Sequence, residues 1–191
     1  MTTESASSAK LGDRALGAVQ NLGRSLMLPI AVLPPAALLL RLGQDDLLGL
    51  PWMAAAGDAI FANLPIIFAI GIAVGLTGGA GAAGLAAIVG YLVFAGVFDT
   101  VAADLAEEGA RPIESMGVLS GIIAGLVATG LYRRYNDIRL PDYLGFFGGK
   151  RFVPIVTSLA ALALGAIFGF IWPPVEVGVD ALGQGIVGLG A

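Results

Sequence analysis

The chain has 191 residues, of which 57% are apolar and only 13% are charged, whereas a soluble domain carries roughly 25% charge. That balance excludes disorder, which needs low hydrophobicity and high charge, and leaves too few polar residues to cover a water-exposed surface. With no cysteine, no histidine and a net charge of −4, the chain excludes disulfides, iron–sulfur clusters, thiol chemistry and cysteine zinc sites, and it lacks the commonest general base and metal ligand.

The composition predicts an all-α integral membrane protein. A bilayer core of about 30 Å needs about 20 apolar residues in a helix. Residues 1–23 precede the first apolar run and are expected on the cytoplasmic side. They begin with the polar TTESASS, expected to fray. Leu11, Ala15, Val19 and Leu22 then form a weak apolar stripe beside Lys10, Arg14 and Arg24, which suits either a short helix on the inner leaflet or a solvated linker.

The region 24–175 holds the spans. Arg24 and Arg41 enclose SLMLPIAVLPPAALLL, a first span near 25–42 that Pro29, Pro34 and Pro35 should bend. A cleaved signal peptide is the competing reading of this stretch. The prolines and the lack of an A-x-A site speak against it. Asp58 and Asp99 enclose 40 uncharged residues. That run suits two spans, near 59–77 and 82–98, joined by the glycine-rich turn Thr77–Gly84. A fourth span is expected near 115–132, between Glu114 and Arg133. A fifth is expected near 152–173, ending at Pro173-Pro174. Residues 176–191 read as the start of a connecting helix.

Five spans with the N-terminus inside place Lys10, Arg14, Arg24, Arg133, Arg134, Arg139, Lys150 and Arg151 in the cytoplasm. Only Arg41 and Arg111 remain outside. This is the positive-inside pattern. Trp52 and Trp172 then fall at the outer boundary and Tyr132, Tyr135 and Tyr143 near the inner one, where amphipathic rings belong.

Small residues at spacing four let membrane helices approach closely. Gly71, Gly75 and Gly79 follow that spacing in the second span, Gly117, Gly121 and Gly125 in the fourth, and Gly165 and Gly169 in the fifth. Such ridges serve either a subunit interface or packing within one bundle. No predicted span holds an ionisable residue in its interior, which disfavours an ion-coupled transporter. No phosphate-binding GxxxxGK[ST] loop is present, and nothing calls for a cofactor, a metal or a nucleic acid.

The densest polar stretch is YRRYNDIRLPDYLGFFGGKRFVPI, Tyr132 to Ile155. Here Arg133, Arg134, Arg139, Lys150 and Arg151 accompany tyrosine and phenylalanine rings. It suits either a topology anchor that pairs with anionic lipid heads or a docking surface for an acidic or phosphorylated partner.

Within that stretch, IRLPDYLGFFGGKRFVPI, together with FIWPPV at the end of the fifth span, resembles the membrane (IIC) component of bacterial phosphoenolpyruvate-dependent sugar phosphotransferase permeases. LGRSLMLPIAVLP (from Leu22) and IFANLPIIFAIGIAVGLT (from Ile60) agree in the same order. The resemblance is to the glucose/N-acetylglucosamine branch, and PAALLLRLGQDDLL looks closer to its N-acetylglucosamine permeases. It extends from about Leu16 to about Val177. It implies a multi-pass protein of the bacterial cytoplasmic membrane that carries a sugar and works with IIB and IIA proteins. The sugar is phosphorylated by IIB as it enters. In that family the first half supplies most of the homodimer contact. The second half supplies most of the sugar pocket, including a glutamate in a GITEP-like motif. No such motif and no phosphocysteine is present in these residues, so the resemblance is to the N-terminal half. The chain cannot carry the phosphoryl group itself, and its sugar-contacting residues stay unknown. For Lys150 and Arg151 the resemblance implies a position near the inner mouth of the translocation route. Arg133 and Arg134 are docking candidates beside them. A structural dimerisation module without transport is the main competing reading.

Overall fold

Pro34 and Pro35 have no N–H, so the carbonyls of Ile30 and Ala31 lose their usual intrahelical donors. In the computed structural model, which describes residues 3–105 and 116–189, the first long helix breaks there. Helix α1 (Thr3–Ile30) passes to α2 (Leu33–Leu42) through one turn. In that turn the Ala31 N–H bonds to the Met27 carbonyl (3.0 Å) and the Val32 N–H to that of Pro29 (3.3 Å). The backbone is helical from Thr3 onward. The polar start expected to fray therefore belongs to α1.

A second proline break separates α3 (Pro51–Ala62) from α4 (Leu64–Leu76), which are bent by 55°. Pro65 cannot donate to the Phe61 carbonyl. Asn63 at the corner donates its side-chain amide to Ala59 (2.8 Å) instead. After the Thr77–Ala80 turn, α5 (Gly81–Leu105) runs on through Asp99, which the sequence places at a span end. Helix α6 (Val118–Tyr135) follows. Then come two 3₁₀ turns (Asp142–Phe147, Gly149–Arg151) and α7 (Phe152–Leu189). The expected stop at Pro173-Pro174 is absent, because α7 continues through both residues. A proline φ near −65° is compatible with helix, and membrane helices absorb the missing donors where neighbouring helices support them. The expected start of the fourth span, with Arg111 and Glu114, lies outside the described residues.

Among the described residues, Val19–Leu42, Gly81–Leu105 and Gly149–Gly183 are each long and apolar enough to cross a membrane. The bent α3–α4 pair makes a fourth candidate. Helix α6 is not among them. It has 18 residues and carries Arg133 and Arg134 in its last turn, so the expectation of five spans depends on α6.

Close contacts fix the helix directions. Gly71 meets Pro29 and Gly75 meets Ser25, so α1 and α4 are antiparallel. Gly121 meets Pro65 and Gly125 meets Ala69, so α6 runs parallel to α4. Gly90 meets Thr157, Gly165 meets Phe94, and Gly169 meets Val101, which makes α5 and α7 parallel. The short turn sets α5 antiparallel to α4. Thus α1, α5 and α7 point one way and α4 and α6 the other.

The core between them is unusually fine-grained. One cluster contains Ala69, Ala73, Ala83, Ala86, Ala87, Ala124, Ala128 and Val153. The other contains Phe94, Phe98, Ala102, Met116 and Ala161. Lipid supplies no hydrophobic force between helices, so close backbone approach over small side chains carries the packing.

Candidate functional site

These helix directions gather the C-terminal ends of α4 and α6, the N-terminal ends of α5 and α7, and the Arg24 region of α1 at one end of the bundle. Arg24, Arg133, Arg134, Arg139, Lys150 and Arg151 are all exposed there. Residues distant in the chain thus form one basic face. Arg133 and Arg134 occupy the last turn of α6, where cations complement the helix dipole.

Each of these cations has a distinct setting. The Arg133 guanidinium donates to the Leu76 carbonyl at 2.6 Å and satisfies a terminal acceptor of α4. Arg134 lies over the Tyr135 ring, 5.7 Å from its centroid. Tyr135 in turn packs edge-on against Phe152 (5.9 Å). Arg151 donates to the Phe146 carbonyl (3.2 Å) and sits 4.9 Å from the centre of that residue's ring, within cation–π range. Phe146 meets Phe147 edge-on at 5.3 Å. Lys150 has no hydrogen-bond or ion-pair partner among the described residues. The loop is held by the Gly149 N–H, which bonds to Ile138 at 2.9 Å. The result is a platform of cations and aromatic rings, with Tyr143, Phe146 and Phe147 facing outward. Such a surface offers charge-assisted donors and ring faces to an anionic partner.

Beside the platform is a cavity of about 280 Å³ lined by Asn21, Arg24, Ser25, Leu28, Gly75, Leu76 and Arg133. Sequence reasoning placed Arg24 on the basic side but did not join it to Arg133. A usable signal is the recurrence of Asn21, Arg24 and Leu28 at helical spacing.

Six of the eight glycines expected to pack helices lie against other helices of the same chain. A Cβ on Gly75 would lie 2.8 Å from that of Ser25, and one on Gly71 would lie 2.7 Å from the Pro29 ring. On Gly121 it would strike the Pro65 carbonyl, and on Gly125 it would lie 2.7 Å from the Ala69 oxygen. On Gly165 it would be 2.8 Å from the Phe94 oxygen, and on Gly169 2.8 Å from Val101. Gly117 differs. Its φ of +52° makes it the residue that turns the chain into α6, and nothing lies within 4 Å of its Cβ position. Gly79 (φ +91°) likewise belongs to the α4–α5 turn. Sequence spacing missed Gly43 and Gly57, through which α2 and α3 touch at Ala54 and Leu40.

No group of three or more metal-ligating side chains occurs among the described residues. Residues 23–191 match the family model "Phosphotransferase system, EIIC". The chain is 54% identical to an N-acetylglucosamine-specific EIICBA component of Escherichia coli, over 92% of its own length and 26% of the relative's. It is 51% identical to a glucosamine-specific EIICBA component of Bacillus subtilis, over 88% and 27%. An N-acetylglucosamine-specific EIIC component of Streptomyces coelicolor is 42% identical over all of this chain and 49% of its own. The chain therefore spans from about a quarter to about half the length of these relatives. It belongs to the phosphotransferase system EIIC family.

Proposed function

We propose that this chain forms the N-terminal membrane region of a permease that takes up N-acetylglucosamine or glucosamine and couples entry to phosphorylation. The observation that carries the reading is the family match over residues 23–191, joined to relatives whose names specify these two amino sugars. The bundle is threaded five times through a bacterial cytoplasmic membrane, with α6 as the fourth crossing and the N-terminus inside. The gathering of Arg24, Arg133, Arg134, Lys150 and Arg151 at one end supports that orientation. The same end faces the phosphorylated IIB module, with Lys150, Arg151, Arg133 and Arg134 as its docking cations. The glycine ridges pack within the chain, so a homodimer contact falls to the exposed apolar faces.

The test is uptake of labelled N-acetylglucosamine in a bacterial strain stripped of its own amino-sugar permeases and supplied with this gene and its neighbouring reading frames. The label should be recovered as sugar phosphate, and uptake should survive a protonophore. Accumulation of unmodified sugar overturns the reading. In the same cells, labelling of Lys150 by an impermeant reagent from outside overturns the orientation.

A further inference from the structure

Two guanidinium groups from different helices border the cavity between α1, α4 and α6, and neither has a carboxylate partner among the described residues. The Arg41–Asp46 ion pair lies elsewhere, in the α2–α3 connection. Arg133 spends one nitrogen on the Leu76 carbonyl, and the rest of its fork is unused. Arg24 and the Asn21 amide donate to nothing among the described residues. The wall is completed by the exposed backbone of Gly75 and by Ser25, whose hydroxyl donates to the Leu22 carbonyl (2.7 Å). Among the described residues, the cavity thus presents donors, two positive charges and no opposing charge.

Its volume, about 280 Å³, lies near the lower end for ligand pockets. Leu28 forms one edge and is 67% exposed, and Met27 beside it is 68% exposed. The charged cavity therefore opens onto an apolar strip of α1, running from cation to hydrocarbon as a phospholipid does in the opposite sense of charge.

We propose that this cavity binds the phosphodiester of an anionic phospholipid, with Arg24 and Arg133 clamping the phosphate and the acyl chains lying along Leu28 and the adjoining Met27. Basic pockets between membrane helices at the cytoplasmic face favour such headgroups. Guanidinium is the cation whose planar fork matches phosphate oxygens. The two like charges also reject a zwitterionic headgroup, whose ammonium would have to lie beside them. The bound lipid ties α1 to the α4–α6 pair at the point where Gly75 brings them into contact. The inference does not depend on which sugar, if any, the permease carries.

The full chain, purified and delipidated in dodecyl maltoside, is titrated with phosphatidylglycerol or phosphatidylcholine and read by native mass spectrometry. Phosphatidylglycerol should be retained about tenfold more tightly, as expected for charge-assisted hydrogen bonds. Arg24→Gln should remove most of that preference, and Arg139→Gln, which removes equal charge outside the cavity, should leave it in place. Arg133→Gln should act like Arg24→Gln. If loss of its bond to Leu76 prevents folding, Arg24→Gln carries the test, since that side chain holds nothing else together. Equal retention of the two lipids, or an unaltered preference in Arg24→Gln, overturns the proposal. In a further arm, millimolar inorganic phosphate should fail to displace the lipid. Displacement would make this a site for free phosphate and would overturn the assignment to lipid.

Discussion

Replacing Gly121 by alanine adds one methyl group where α6 crosses α4. Its carbon would lie 2.6 Å from the Pro65 carbonyl carbon, 2.8 Å from its Cα and closer still to its oxygen, whereas ordinary contacts begin at 3.4 Å. The obstacle is backbone, so no rotamer change relieves it. α4 must retreat by about 1 Å along a seam where Gly125, one turn on, has its Cβ position 2.7 Å from the Ala69 oxygen. Overpacking of this kind costs about 1–3 kcal/mol. Gly130→Ala on the same helix is the control, because nothing lies within 4 Å of its Cβ position. With no clash to offset it, the helix preference of alanine over glycine should raise stability by about 0.5–1 kcal/mol. The double variant Gly121→Ala/Gly125→Ala should cost less than the sum of its parts, since one retreat of α4 relieves both clashes. Equilibrium unfolding in mixed detergent micelles, followed by circular dichroism, reads the wild type, the three single variants and the double variant. Equal midpoints for Gly121→Ala and Gly130→Ala would refute the reasoning. Unchanged stability with a weakened dimer would instead assign the ridge to a subunit interface.

Three other outcomes can be checked on the same preparation. Phe94 is 1% exposed and lies 5.8 Å from the Phe168 ring and 6.2 Å from that of Phe98. Phe94→Ala should therefore cost about 3–5 kcal/mol in the same unfolding assay. The Thr157 hydroxyl is fully buried and has no hydrogen-bond partner among the described residues. Thr157→Val should therefore leave stability unchanged or raise it by up to about 1 kcal/mol, and a clear loss would show that the hydroxyl is bonded. The two Arg41 nitrogens that bond to Asp46 at 2.7 Å hold its carboxyl below the usual carboxylate range. Because the folded pKa is the depressed one, the contribution of the pair is present above the ordinary carboxylate value, near about 3.9, and is lost as pH falls through the lower folded one. Carbon-13 spectra of the side-chain carboxyls should show the Asp46 midpoint rising in Arg41→Gln, and no movement would refute the bidentate pairing.

Much of the architecture was legible because membrane insertion is decided residue by residue. Long runs without charge, such as Ala59 to Phe98, are apolar wherever they sit, and a basic residue favours the same side of the membrane whatever its neighbours. Proline is equally local, so a break within SLMLPIAVLPPAALLL could be inferred from the missing donors of Pro34 and Pro35. The motifs in IRLPDYLGFFGGKRFVPI carried the family directly.

Sequence spacing showed that Gly71, Gly75, Gly121, Gly125, Gly165 and Gly169 could admit a neighbour, but a ridge carries no record of its partner. Only the assembled helices paired Gly75 with Ser25 and Gly121 with Pro65, and they assigned Gly117 to a turn with φ +52°. The length of α7 was likewise not legible, since the helix continues through Pro173 and Pro174, where a local rule ends it. Arg24 and Arg133 come to border one cavity because α1 lies antiparallel to α4 while α6 lies parallel to it. Charge, apolarity and the lack of a donor are properties of single residues, so the sequence by itself determined the membrane runs, the basic side and the proline break. Who packs against whom is set by backbone approach between distant segments, so the tertiary structure alone decided it.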